Sequence, residues 1–293
     1  MVQVSYSTYG FAGVNFEPTF EQIANIGFEC VEFACDRHGV EDRPLEIAAD
    51  VRRALEQQNL TATTVHAPAR RNVLGASDEE WRTRAVGVLA DALRLTGDIG
   101  AGGLVIHGIP NPMFLPQDQD MRSFYTEMVD AMRRSVEDLV PIAEQSGVRI
   151  LLENLPYNWD LRAAGRDGDY PLMHVEDLRA FIDPFPSDQV GLIVDVGHSW
   201  TNGQDPASEI LAAGDRLWGT HLQDVDRDDP RDNHWAPLQG GLDWPSILRA
   251  LEQVNYSGAH TFEIMMPRHD ETAEELARMT YSAARAWGLV STD

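Results

Sequence analysis

The sequence predicts an α/β chain folded as a single (β/α)8 barrel of the TIM type, and three observations predict it. Short runs rich in Val, Ile and Leu alternate with longer stretches whose apolar residues recur at helical spacing. The runs number about eight, the count that closes a parallel barrel. Several of them end in Glu, Asp or His, the kind of side chain that barrel enzymes carry at the C-terminal ends of their strands. The 293 residues suit one domain over 1–293, since such barrels commonly run to about 250 residues as one unit.

In chain order, strands are expected at 2–5, 30–34, 62–66, 103–107, 149–153, 191–195, 217–222 and 259–264. Several are nearly continuous apolar runs, as parallel strands buried on both faces should be. Amphipathic spacing predicts helices over 78–95, 121–145 and 271–287. Gly27, Gly100, Gly147 and Gly258 each stand shortly before a strand, where a left-handed helix cap is expected. Gly100-Ala101-Gly102-Gly103 precedes its strand, the wrong order for a dinucleotide loop, and reads as a helix-to-strand turn. Long loops follow the fifth strand (about 155–173) and the seventh (about 223–243), on the side where barrels build active sites.

With 43% hydrophobic and 24% charged residues, the composition is that of a chain able to bury a substantial core. The formal net charge of −24 repels polyanions and argues against nucleic acid or anionic lipid as a partner. All 23 basic residues are Arg. Without Lys, Schiff-base chemistry and Walker-type phosphate loops are excluded. Cys30 and Cys35 flank one predicted strand and make no disulfide framework, which suits a reduced, cytoplasmic protein. No run approaches the roughly 20 apolar residues of a membrane span, and the N-terminus lacks the pattern of an export signal.

Four runs end in metal-ligand side chains: Leu151-Leu152-Glu153, Leu192-Ile193-Val194-Asp195, Trp218-Gly219-Thr220-His221 and Ala259-His260-Thr261-Phe262-Glu263. A carboxylate closing an apolar strand is costly unless its charge is matched, and one shared divalent cation would match all four groups. Three carboxylates and an imidazole form an oxygen-rich set that favours Mn²⁺ or Mg²⁺ and leaves Zn²⁺, Co²⁺ or Fe²⁺ possible. His66, His107 and the Asp232-Asn233-His234 triplet lie nearby as further metal or pocket residues.

Asp195-Val196-Gly197-His198 and the spacing from His221 to Arg227, together with Glu32-Phe33 and the closing Phe262-Glu263, resemble the xylose isomerase-like barrels over nearly the whole chain. That group holds sugar isomerases and epimerases, including ketose 3-epimerases, and the AP endonucleases of the same fold. The resemblance implies that Glu153, Asp195, His221 and Glu263 hold a catalytic metal ion while His198 and Arg227 hold substrate oxygens. With His66, His107, Asp232 and His234 added, the four ligands and His198 also resemble the nine residues that bind three zinc ions in AP endonucleases. Sugar-acting relatives often keep these His residues as pocket-lining hydrogen-bonding groups. Gln239-Gly240-Gly241-Leu242-Asp243-Trp244 is similar to the Gly-x-Gly-x-x-Asp-Trp turn of the sugar enzymes, with Gln239 where an acidic residue is common.

The implied activity is isomerisation or epimerisation of a ketose or keto-polyol, with Glu153 and Glu263 moving a proton beside the carbonyl through an enediolate. Elimination by a keto-inositol dehydratase or a deglycosidase would begin with the same proton removal. A trinuclear zinc phosphodiesterase is the third reading, opposed by the acidic charge and by Arg70-Arg71 being the only nearby basic pair. Trp159, Trp200 and Trp235 are candidate aromatics for packing against a sugar or aglycone, and the 159–170 segment with Arg162 and Arg166 reads as an insertion over the site. By resemblance, a homodimer or homotetramer is expected.

Overall fold

A computed structural model describes residues 2–11, 13, 15–69, 72–110, 122–156, 170–229 and 231–290. Trp159, Arg162, Arg166 and the Arg70-Arg71 pair lie outside the described residues. Eight strands close in sequence order: β1 (Val4–Ser7), β2 (Cys30–Ala34), β3 (Thr61–His66), β4 (Gly103–Ile106), β5 (Arg149–Glu153), β6 (Val190–Asp195), β7 (Leu217–Leu222) and β8 (His260–Phe262). Every neighbouring pair is parallel, and β1 pairs with both β2 and β8. This is the closed eight-stranded α/β barrel that the alternating pattern predicts.

The boundaries differ at the seam. The first strand starts at Val4 rather than Val2, and the last spans only His260–Phe262, because their pairing runs from Val4 opposite His260 to Tyr6 opposite Phe262.

Among the described helices are α1 (Phe16–Ile26), α2 (Ala48–Gln58), α3 (Glu79–Asp98), α4 (Tyr125–Ser146), α5 (Val175–Ile182), α6 (Val196–Thr201), α7 (Pro206–Ala213), α8 (Trp244–Gln253) and α9 (Ala273–Ala286). Their starts follow capping chemistry. Asp78 accepts the Trp81 N–H and so stands just outside α3, while Thr272 and Glu275 form a reciprocal capping box that begins α9 at Ala273 rather than at Glu271. A 3-10 turn over Arg122–Phe124 leads into α4, which ends at Gly147 in the left-handed conformation (φ 65°). Gly27 and Gly100 are left-handed as expected, but Gly258 is not; after α8 that conformation falls to Asn255 (φ 53°), a residue type that tolerates it.

The main core lies between sheet and helices, with Phe20, Ile23, Leu89, Leu93, Val136 and Ile247 buried there. A separate cluster of Val105, Leu151 and Ile193, with Trp218 against it, fills the barrel interior. Strand side chains alternate between faces, so the residues two steps on from these three are inward as well. They are His107, Glu153 and Asp195. An apolar floor thus carries a polar layer directly above it. Gly191 makes room for that floor, since a Cβ there would lie 2.5 Å from a ring carbon of Trp218.

Cys30 and Cys35 are free and buried, and among the described residues no helix is long and apolar enough to cross a membrane.

At the opposite end of the barrel, His260 is buried beside Tyr256 with its Nδ1 unpartnered. Burial pushes its pKa down to about 4 from 6.5. The unfolded chain therefore takes up a proton as pH falls through about 6.5 while the folded chain resists until about 4, so stability is full above the upper value and is lost progressively below it. His260→Gln should remove about 3 kcal/mol of that acid sensitivity. Denaturant unfolding of both proteins between those two pH values measures it.

Candidate metal centre and active site

Adjacent strand ends bring the four predicted ligands together. One ligand atom each from Glu153, Asp195, His221 and Glu263 lies within 4.8 Å of every other, and all four residues are buried. Two further groups share members with this one: His66, His107 and Glu153 on one side, and Asp195, His198 and His234 on the other. Asp232 joins the second group, 2.9 Å from Nε2 of His234 and 3.2 Å from Nε2 of His198.

Local sequence explains how each side chain is aimed. Asp195 ends β6 and at once N-caps α6, its Oδ1 accepting the His198 N–H at 2.7 Å, so one turn of helix delivers His198 to the same spot. Asn154 follows Glu153 and clamps the two strand ends. Its Oδ1 accepts the Asp195 N–H, and its Nδ2 donates to the Asp195 carbonyl and to Ser199. Three imidazoles are oriented through Nδ1, which must donate because each faces a backbone carbonyl: Ala67 for His66, Asn154 for His198 and Glu263 for His234. In each ring Nε2 then faces the carboxylates, the arrangement typical of metal-binding histidines.

Glu32, buried in the middle of β2, accepts hydrogen bonds from Thr64 at 2.7 Å and from Nε2 of His221 at 3.1 Å. Nδ1 of His221 is thereby turned to Glu153 (2.9 Å) and Glu263 (3.4 Å). Gln223 braces the other flank, donating to Asp195 and Asp232 and accepting the His234 N–H. It can approach only because residue 197 is glycine; a Cβ there would lie 2.3 Å from the Gln223 amide carbon. Asp224 fixes the loop below through the N–H groups of Leu238 and Leu242 and the indole N–H of Trp244. The sequence marks Glu32 only as part of the family resemblance and does not reveal the bracing roles of Glu32, Gln223 and Asp224. A carboxylate inside the apolar Cys-Val-Glu-Phe-Ala run is the signal for such a role at Glu32.

The electrostatics follow from burial and proximity. Burial alone would raise the Glu153 carboxyl, but the His221 imidazolium hydrogen-bonded to it and the nearby ring nitrogens of His107 and His66 hold it well below the usual carboxylate range. Burial lifts the Glu263 carboxyl despite His221 and His234. Burial disfavours charge on His66, His198 and His234, yet the facing carboxylates override it and push these rings up to about 9, 10 and 9.

Two polar atoms inside the cluster, Glu153 Oε2 and His198 Nε2, are buried with no hydrogen-bond partner. Such orphaned atoms are costly unless another group engages them, and with three carboxylates and oriented imidazoles around them the donor set fits a divalent cation. The cluster opens into a cavity of about 780 Å³ lined by His66, His107, Glu153, His198, Asp232, His234 and Glu263 on its polar side.

Three predicted substrate contacts fall elsewhere. Arg227 is exposed and does not line this cavity; its Cβ packs over Gly241. Trp200 donates to the Arg227 carbonyl, and Trp235 pairs with Asp224 and carries the Arg268 guanidinium over its ring, so neither lines the cavity. Trp81 and Phe124 line it instead.

Metal ligation requires a neutral imidazole, whereas His221 is held charged by its three carboxylate neighbours, which raise its pKa well above 6.5. Binding of Mn²⁺ or Zn²⁺ at neutral pH should therefore release at least about one proton per site. Calorimetry in buffers of different ionisation enthalpy reads this directly. Glu32→Gln should weaken the metal affinity by about 10–100-fold while leaving Thr64 a partner, as expected for a group that orients a ligand.

Comparison with known proteins agrees with this architecture. The chain is 24% identical over 257 residues to a D-psicose 3-epimerase of Enterocloster bolteae, covering 85% of this chain and 76% of that one. It superposes on a 3-keto-D-glucoside 4-epimerase from E. coli with TM-score 0.77 at 20% identity, covering 98% of this chain and all (100%) of that one. A D-tagatose 3-epimerase-like protein matches with the same TM-score at 19% identity, with 97% and 96% coverage. The model of the xylose isomerase-like TIM barrel family matches residues 20–282, and the chain belongs to that family.

Proposed function

We propose that the protein is a metal-dependent sugar epimerase or isomerase that moves a proton on the carbon beside a carbonyl of a ketose or keto-polyol. The observation that carries this reading is the convergence of Glu153, Asp195, His221 and Glu263 within 4.8 Å at the floor of an open cavity. The sugar epimerases among its relatives support the same class.

Glu153, Asp195, His221 and Glu263 would hold the ion, with Mn²⁺ favoured by the oxygen-rich set. A bound divalent ion supplies Lewis-acid stabilisation of the negative charge that develops on adjacent substrate oxygens. The chain's own residues do the rest. Glu153 and Glu263 approach the reacting carbon from different strands, so one can take its proton from one face and the other return a proton to the opposite face. His198, held through Nδ1, presents Nε2 to a substrate oxygen, and His66 and His107 line the same wall. The protein acts on a small sugar or polyol as one barrel domain, in the cytoplasm and as a homodimer or homotetramer in this reading.

Incubation in D₂O with free ketoses, keto-inositols and keto-glycosides tests the class. Deuterium should enter the substrate with Mn²⁺ and not with chelator, and Glu153→Gln or Glu263→Gln should slow entry by about 10²–10⁴-fold. Exchange that persists in chelator, or in the double variant, overturns the mechanism. An unsaturated product would instead identify a lyase working by the same first step.

A second reading has its own observation. The nine residues His66, His107, Glu153, Asp195, His198, His221, Asp232, His234 and Glu263 form three linked groups of potential ligands, as a trinuclear zinc phosphodiesterase would require. The net charge of −24 opposes a nucleic-acid substrate. Metal content decides between them: one ion per chain supports the epimerase, three zinc ions the phosphodiesterase.

A further inference from the structure

Two unlike sets of residues line the cavity above the candidate metal centre. Besides the carboxylates and imidazoles, the lining includes Val73, Trp81, Phe124, Met128, Met265 and Met266. These come from the segment after β3, the first turn of α3, the entry to α4 and the segment after β8. Trp81, Phe124 and Met266 are 43%, 44% and 54% exposed. Seven large apolar side chains are exposed among the described residues, so this one cavity holds three of them. Scattered surface apolar residues need no explanation, but a cluster facing a catalytic cavity does.

A bare monosaccharide does not use such a wall. Its hydroxyls call for hydrogen-bond partners on every side, whereas Val73, Phe124, Met128, Met265 and Met266 offer no strong ones from their side chains; among the described residues the polar side chains beside them are Tyr9, Asp36, Ser77 and Asp78, of which Tyr9 donates to Asp36 and Asp78 Oδ1 accepts the Trp81 N–H. The cavity, at about 780 Å³, instead lies well inside the roughly 300–1,000 Å³ range of sites that enclose ligands of drug size. Indole and phenyl faces with flexible thioethers suit a flat, apolar group.

We propose that the substrate is a glycoside, its keto-sugar ring over Glu153 and Glu263 and its apolar, aromatic aglycone against Trp81, Phe124 and the methionines. This rests on the proton-transfer reading for the sugar half and adds the class of group attached to it. Trp81 and Phe124 act as specificity-determining residues. They touch the aglycone and not the reacting carbon, so they govern affinity for the substituent and leave the proton-transfer step alone.

Phenyl and methyl glycosides of the same 3-keto-glucose are the probes, titrated calorimetrically into the Mn²⁺-loaded protein. The phenyl glycoside should bind at least about tenfold more tightly. Trp81→Ala and Phe124→Ala should each cut that preference, and the double variant should reduce it to within about twofold while the methyl glycoside binds as before. Equal affinity for the two glycosides, or an equal loss for both in the variants, overturns the aglycone site. So does a change in oligomeric mass on Trp81→Ala without a change in preference, which would make the patch a contact between copies of the chain. Deuterium exchange separates the two claims. Exchange into free ketoses with no phenyl preference leaves proton transfer standing without the aglycone site, and phenyl-dependent binding without exchange into any sugar does the reverse.

Discussion

Everything at the open end of the barrel answers to the burial of Glu153. Its side chain is 1% exposed, one oxygen accepts from His221, and the other has imidazole nitrogens of His107 and His66 at 3.2 and 3.6 Å without a well-formed hydrogen bond. An ionised carboxylate in that position is tolerated only if positive charge surrounds it. Here His221 and His66, whose charge the facing carboxylates favour, and the place for a cation supply it, and these two rings are in turn held by the Glu32 carboxylate and the Ala67 carbonyl. Removing any one partner would expose the next to an unmatched charge. For this reason the braces reach outward to Glu32 on β2 and to Gln223 beyond β7.

How much of this was legible in the sequence depends on where each residue sits. Glu153, Asp195, His221 and Glu263 stand out because a polar side chain closes an apolar run, and the two-residue alternation of strands then dictates that they point inward with the apolar layer beneath. Glu32 breaks the same rule inside its strand rather than at its end, and there it marks the family resemblance without revealing that it braces His221. Asp232 and His234 lie in an acidic loop with no periodicity, and only the family pattern marks them. Their positions depend on Gln223, on the Asp224–Trp235 pairing and on the close approach allowed at Gly197, all long-range contacts that local sequence does not encode.

The aromatic residues show the limit of periodicity most clearly. Trp200 and Trp235 fall in segments that suggested the catalytic mouth, yet their rings are engaged by Arg227 and Arg268 outside the cavity. Trp81 and Phe124 sit inside stretches with helical spacing, where an apolar residue reads as core. Helical spacing predicts which face of a helix turns to the sheet, but the first turn of a helix that follows a βα-loop stands at the catalytic end of a barrel and can face the mouth. Both residues occupy such first turns or lead into them, and both are exposed over somewhat less than half of their surface.

That placement divides the labour of the barrel. Strands β5 to β8 end in the charged residues able to bind an ion and move a proton, and small displacements there would unbalance the buried charges. The segments after β3 and β8 and the entries to α3 and α4 add the apolar side chains of Val73, Trp81, Phe124, Met128, Met265 and Met266 to the same cavity. Under the proposed function, ion binding and proton transfer would fall to the first set and recognition of a substituent to the second, both lining one cavity. A fold can carry different functions through the side chains placed at such a site, and in this chain the second set adds Trp81, Phe124 and Met266, all exposed, to the cavity beside the candidate ligands.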